Sequence, residues 1–373
     1  MFKRMIRLSP GIYVNEPGAL KKLPELIKAF TLEKPVILTD QTVLKVIPRY
    51  LPADFVTRYP VEIFNGSCEF AEIDRLTEQL KAYDGIIAFG GGQLMDTAKV
   101  VSDRLNNVLI NVQTVPSNCA AFTTKSIVYS PTHEMIASVR EKKPVDAVIL
   151  EPEMLKNAPL EYLRSGIGDT LAKYYEIRRR LTDDKMHSLS LSLARDLIER
   201  CCQKMLKVDN PRSLNGLDLQ NFIDTIFLAA SLVDGFADLD GRSVASHTFY
   251  NAYVKVIGPQ RFAHGEIVAL GNLFQVTLEN DTALIKEIRA YYPRVGLPLS
   301  LADLGITQAE QLNSLAEYMA KPDNVRMQSI FPKISAAAIS YSRNADQTCL
   351  IITPQSISGT IAWHYCLSSI QFK

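Results

Sequence analysis

The sequence predicts an α/β fold: an N-terminal doubly wound, mostly parallel sheet domain followed by an all-α C-terminal domain. Three observations carry this. Short apolar runs alternate with helical patterns up to about residue 150. Three glycines, Gly90-Gly91-Gly92, stand where one such run passes into a helical pattern. Beyond Pro152 the periodicity is almost purely helical, with breakers such as Pro211, Gly241, Gly258-Pro259, Gly296 and Pro298 between segments. The expected division is 1–155 for the α/β domain and 156–373 for the helical one.

Pro10 to Val14 reads as an edge strand, and Leu23 to Phe30 as a helix with Pro24 in its first turn, where proline is tolerated. Lys34 to Asp40 is a strand ending in an acidic residue. Asp40 has two readings from position alone: a ribose acceptor of a doubly wound fold, or the N-cap of a helix from Thr42. A strand lies within Phe55 to Phe64, and Ala71 to Tyr83 is an amphipathic helix. Asp84 to Phe89 is a buried strand, and Leu94 to Leu105 the helix after the glycines. Without Cβ atoms the chain can turn sharply there and approach a ligand, and the helix start offers free N–H groups to a pyrophosphate.

Asn107 to Val112 is the next strand, followed by a loop from Gln113 to Thr124. Ile127 to Tyr129 and Met135 to Val139 pair as a hairpin, and Val145 to Leu150 is the last strand of the domain. In the second half Ser188 to Met205, Leu217 to Phe236 and Thr282 to Arg294 read as helices.

Lys and Arg number 41 against 40 Asp and Glu, so no global field points to nucleic acid or an anionic membrane. No apolar run is long enough to span a bilayer. Met1 to Ser9 is basic, but no apolar segment of a secretion signal follows. Six scattered cysteines, Cys68, Cys119, Cys201, Cys202, Cys349 and Cys366, suggest no disulfide framework and a reduced, cytoplasmic setting.

Asp169, in Gly166-Ile167-Gly168-Asp169, stands at what reads as a helix start, where a lone aspartate is most often an N-cap. His247 and His264 lie farther on, and the separations among the three fit no local metal motif.

The string Gly90-Gly91-Gly92-x-x-x-Asp96-x-x-Lys99 resembles the fingerprint of the dehydroquinate synthase-like superfamily, which includes the iron-containing alcohol dehydrogenases and the glycerol dehydrogenases. Gly166 to Asp169, the segment ending in His247, and His264-Gly265-Glu266 resemble the three metal-ligand segments of the glycerol dehydrogenase branch, and the resemblance extends over nearly the whole chain. It implies that Asp169, His247 and His264 bind one divalent ion and form the catalytic centre, zinc being more usual than iron in that branch. One carboxylate and two imidazoles leave positions open for a substrate oxygen. His133, His187 and His364 match no family ligand and are read as structural or surface residues.

The resemblance places Gly91, Gly92, Gln93, Asp96, Thr114, Ser117, Thr123, Lys125 and Tyr129 along a dinucleotide site. Thr39-Asp40 resembles the same dipeptide in NAD-dependent relatives, so Asp40 favours NAD over NADP by accepting from the 2′-hydroxyl and repelling a 2′-phosphate. Cys119 departs from the glycerol dehydrogenases, which carry an aspartate there that receives a polyol hydroxyl. The loss of that charge, with Lys125 adding a cation, implies a hydroxycarboxylate dehydrogenase relative acting on a 2-hydroxy or 2-oxo acid. Glycerol or polyol oxidation is the alternative. A lyase like dehydroquinate synthase is disfavoured, because its ligand at the position of Asp169 is typically glutamate. A glycerol-1-phosphate dehydrogenase wants a basic phosphate pocket that the sequence does not reveal, and intact ligands argue against a non-catalytic relative. The proton donor stays open between a metal-adjacent water and the ribose hydroxyls. The expected partners are a small-molecule substrate and further copies of the chain in a homo-oligomer.

Overall fold

The computed structural model describes residues 5–258, 262–332, 339–344 and 347–352. His364 and Cys366 lie outside the described residues, as do Pro259 and the side chain of Cys349. Six strands form the main sheet: β1 (Ile12–Asn15), β2 (Pro35–Thr39), β3 (Val61–Ile63), β4 (Gly85–Gly90), β5 (Val108–Gln113) and, after a hairpin of β6 (Lys125–Tyr129) and β7 (Met135–Arg140), β8 (Ala147–Leu150). Their order is β1-β8-β5-β4-β2-β3, with every pair parallel. β6 and β7 pair antiparallel.

Helices α1 (Leu23–Ala29), α2 (Phe70–Leu80) and α3 (Gly92–Leu105) flank the sheet. Strand alternation divides the core. Val36, Leu38, Ile86 and Ala88 join α2, α3 and the helical half in one apolar cluster, while Ile37, Ile87 and Phe89 face a second cluster with Leu20, Leu23 and Phe55. From β2 the chain steps outward to β3, returns across β2 to β4, then proceeds to β5 and β8. The crevice at the C-terminal ends of β2 and β4 is therefore a topological switch point, the place where doubly wound sheets take up ligands.

The helical half contains α4 (Leu160–Ile177), α5 (Leu189–Met205), α6 (Gly216–Asp224), α7 (Ala230–Ala237), α8 (Ala245–Ile257), α9 (His264–Leu278), α10 (Thr282–Val295) and α11 (Ala309–Met319). A π-turn at Thr225–Ala229 joins α6 to α7, so the helix expected over Leu217 to Phe236 is one run with a widened turn. The half is helical as expected, with one antiparallel pair added, β9 (Ile339–Asn344) with β10 (Gln347–Ile352). One expectation needs correction: Asp169 does not begin a helix, because α4 starts nine residues earlier, at Leu160. Gly166 and Gly168 made the segment look like a helix boundary, but here they serve packing between elements. No helix among the described residues is long and apolar enough to cross a membrane.

Candidate active site

The three candidate ligands sit on three different helices, and glycine explains how those helices meet. A Cβ on Gly168 would lie 2.1 Å from the carbonyl oxygen of Gly265, and one on Gly265 would lie 1.8 Å from that of Ser165. α4 and α9 thus cross backbone against backbone. α8 and α9 do likewise, since a Cβ on Gly271 would reach within 2.5 Å of the Ser246 carbonyl oxygen. Buried amides lock the crossings: Asn272 Nδ2 donates to the Gly168 carbonyl at 3.0 Å, and the Ala245 amide donates to Gln275 Oε1 at 3.0 Å.

Asp169 is buried in the middle of α4. His247 lies in the first turn of α8, and His264 is the first residue of α9. Nε2 of each histidine stands 3.3 Å from Asp169 Oδ1. One ligand atom from each of the three lies within 4.8 Å of the others. Burial works to raise the Asp169 carboxyl, but the two histidines outweigh it and hold that carboxyl well below the usual carboxylate range. Asp169 is therefore an anion, as a metal ligand must be. About a quarter of each imidazole is exposed to the cleft.

Glu176 is the functional residue that sequence reasoning missed. It sits two turns after Asp169 on α4, and its side chain is 2% exposed. Its Oε2 is 2.7 Å from His247 Nδ1, and its Oε1 accepts from the amides of Val244 and His247 at 2.8 and 3.0 Å. This fixes the ring so that Nε2 points at Asp169, the carboxylate–histidine arrangement that orients metal-ligating imidazoles. Burial lowers the His247 imidazole, yet Glu176 and Asp169 raise it to about 9. The heptad spacing of Asp169 and Glu176 on one face of α4 was the available clue.

The same residues open onto one cleft of about 1290 Å³, which runs from Asp40 past the glycine turn to the histidines. Gly91, Gly92 and Gln93 line it, and no side chain caps the start of the 14-residue α3. Free N–H groups of the first turn therefore face the switch-point crevice. None of the three glycines has positive φ, so a left-handed turn is not their purpose. Close approach is: a Cβ on Gly92 would meet the Asn118 side chain at 2.6 Å, and one on Gly90 the Leu94 side chain at 2.6 Å. Gln93 Oε1 accepts from the Cys68 amide at 3.1 Å, tying the β3–α2 loop to the turn.

Asp40 lines the cleft and also serves as the cap, its Oδ1 accepting from the Thr42 and Val43 amides at 2.8 and 2.9 Å. These bonds occupy one carboxylate oxygen and leave the other available. Asp96 and Thr123 line the cleft, but their polar groups face inward to Lys99. Lys99 Nζ lies 2.9 Å from Asp96 Oδ1 and donates to Thr123 Oγ1 at 3.1 Å and to the Lys125 carbonyl at 2.6 Å, while the Ile127 amide donates to Asp96 Oδ2. The family-like Asp-x-x-Lys pair is a buried brace that pins the β6–β7 hairpin beside the cleft. Thr114 and Ser117 also line it, and the Ser117 carbonyl accepts from Ser165 Oγ, which in turn accepts from the Gly265 amide. Tyr129 lines it too, with burial pushing its hydroxyl well above the ordinary phenol range.

Cys119 is 6% exposed, and burial raises its thiol. Lys125 corrects an expectation: its ammonium is not a free cation beside the substrate, because Asp234 Oδ2 holds it at 3.1 Å while Oδ1 holds Lys173 at 3.3 Å.

Residues 10–152 match the family model for iron-containing alcohol dehydrogenases. The chain is 28% identical over 318 residues to a glycerol dehydrogenase of Thermotoga maritima, covering 83% of this chain and 87% of that protein. It is 28% identical over 326 residues to hydroxycarboxylate dehydrogenase A of Escherichia coli, with the same coverage. The chain is thus similar in sequence to glycerol dehydrogenases and hydroxycarboxylate dehydrogenase A, and its N-terminal part to the iron-containing alcohol dehydrogenases. Both of these relatives are oxidoreductases by name. The fold agrees: glycerol dehydrogenase of Schizosaccharomyces pombe superposes with a TM-score of 0.74 at 24% identity, over 90% of this chain and 88% of that one.

Proposed function

We propose that this protein is a dehydrogenase that transfers hydride reversibly between a nicotinamide dinucleotide and a small alcohol whose neighbouring carbon also bears oxygen. The observation that carries the reading is the convergence of Asp169, His247 and His264 in the same cleft as the glycine turn and Asp40. Hydride chemistry needs a cofactor crevice and an oxygen-polarising centre facing one another.

The donor set fits a divalent ion: one anionic carboxylate, two imidazoles with Nε2 turned inward, and a carboxylate behind His247. Two nitrogens and one oxygen suit zinc, which we favour, and also iron. When bound, the ion polarises the substrate oxygen as a Lewis acid. The chain supplies the rest. The α3 N-terminus with Gly91, Gly92 and Gln93 receives the pyrophosphate. Asp40 receives the adenosine ribose and favours NAD over NADP. Thr114, Ser117, Thr123, Lys125 and Tyr129 border the nicotinamide end, and Asp96 acts there by bracing Lys99.

Several of the relatives are named glycerol dehydrogenase, so the polyol reading comes first. The 2-hydroxy acid reading is kept on one observation: a neutral thiol, Cys119, where the resemblance calls for a carboxylate. Purified protein, stripped with chelator and reloaded with zinc or iron, is assayed with NADH and NADPH on dihydroxyacetone, pyruvate and glycolaldehyde. Metal-dependent reduction of at least one is expected, and His264→Ala abolishes it while leaving the folded circular dichroism spectrum intact. Metal-independent turnover, or activity retained in the variant, overturns the assignment.

A further inference from the structure

Three arginines far apart in sequence meet beside the His247 end of the cleft. Arg242 precedes α8, where the next two residues are Ser243 and Val244, whose amide binds Glu176. Arg326 lies on a short helix, Val325–Gln328, and its Nη1 donates to Ser243 Oγ at 2.9 Å. Arg180 follows α4, and its Nη2 donates to the Arg326 carbonyl at 3.1 Å. Arg242 and Arg326 both line the cleft, together with Ser243, Glu176, His247 and Asp169.

None of the three forms an ion pair with a described residue, although 22 such pairs occur elsewhere among the described residues. The carboxylates nearby are already committed. Glu176 holds His247 and two amides, Asp234 holds Lys125 and Lys173, and Asp240 holds Lys185. Arg180 Nε is buried with no partner. Burial, and then the neighbouring guanidinium, push both Arg180 and Arg326 below the ordinary arginine range, so the three charges work against one another. Like charges held together in a partly desolvated place cost free energy unless an anion joins them. A guanidinium fork presents paired donors to a planar carboxylate or to a phosphate.

We propose that Arg242 and Arg326 form an anion subsite for a carboxylate or phosphate carried by the substrate, with Arg180 positioning Arg326 from behind. The inference rests on the proposed dehydrogenase reading and deepens it, moving the substrate from a neutral polyol to an anionic hydroxy or carbonyl compound. The subsite escapes sequence inspection because residues 180, 242 and 326 share no motif.

The test uses the metal-loaded protein and two matched pairs: pyruvate against hydroxyacetone, and dihydroxyacetone phosphate against dihydroxyacetone. Within each pair the reacting carbonyl is retained and one member carries an anion. For wild type the anionic member of at least one pair is preferred by at least about tenfold in kcat/KM, and whichever pair shows it separates carboxylate from phosphate. Arg326→Gln and Arg242→Gln each reduce that ratio about tenfold or more, with the loss in KM rather than kcat. Calorimetric titration with inorganic phosphate runs in parallel and needs no turnover; each variant is expected to bind at least tenfold more weakly than wild type. Ratios and phosphate affinity within twofold of wild type in both variants overturn the proposal. Should no carbonyl compound be reduced by wild type, the dehydrogenase reading fails, and the phosphate titration alone decides the subsite.

Discussion

Glu176 need touch no ligand to govern this site. Its two oxygens hold three donors, two of them main-chain amides at the start of α8. Glu176→Gln keeps the acceptor for the amides but removes the charge that raises the His247 imidazole. Metal affinity is expected to fall roughly 10- to 100-fold, read by titration against a chelating dye. The metal-free protein loses stability as well, because the charge that raises the His247 imidazole stabilises the fold below about pH 9, and a melting curve at neutral pH separates that loss from the loss of metal. At Cys119 the expected change is in substrate choice. Cys119→Asp introduces a carboxylate close to Asp169 and Asp234, and relative rates shift from 2-oxo acids toward vicinal diols. Rates unchanged across both classes would show that residue 119 does not meet the substrate.

Among the elements, the α4–α9 crossing carries most of the geometry. Gly168→Ala places a methyl group 2.1 Å from the Gly265 carbonyl oxygen, and backbone cannot swing away as a side chain can. The helices must separate, at a cost of about 2–4 kcal/mol. Chemical denaturation checks the loss of stability, and metal content checks the widened triad. At this scale the sequence was legible where periodicity is strong: the parallel strands, α3 behind the glycines and α10 all lie where the pattern puts them. It was illegible where one residue type serves two purposes. Gly166 and Gly168 read as helix punctuation because a local pattern cannot show the Pro116 and Gly265 backbones pressed against them. In the β9–β10 hairpin the alternation is confined to the four residues Ile339-Ser340-Tyr341-Ser342, and β10 is a continuous apolar run at its end, so the pair did not stand out from helical surroundings.

For the whole molecule, the strand order creates the crevice that Asp40 and the glycine turn flank from neighbouring strands. Asp40→Gly removes the charge opposing a 2′-phosphate, on the order of 1–2 kcal/mol at a partly exposed site. The NADPH-to-NADH ratio of kcat/KM is expected to rise roughly 5- to 30-fold. The same variant loses the cap on the following turn, costing about 1 kcal/mol of stability, and thermal melting separates the two effects. An unchanged ratio would place Asp40 in the capping role alone. The three metal-ligating candidates were found by resemblance, since nothing local joins residues 169, 247 and 264. The arginines beside them were found only once the chain was folded.

The crossing of α4 over α9 has one more consequence. Because main chain meets main chain there, the distance between Asp169 and His264 is metered by peptide groups and not by side chains that mutation can enlarge or trim. The gauge of the metal centre is thereby insulated from drift in the cleft wall. Residues around Cys119, or the arginines beside His247, are free to be exchanged during evolution while the catalytic spacing stays constant. A library randomised over 119–124 should therefore yield variants that differ widely in substrate yet bind metal alike, so this fold can change its diet without rebuilding its engine.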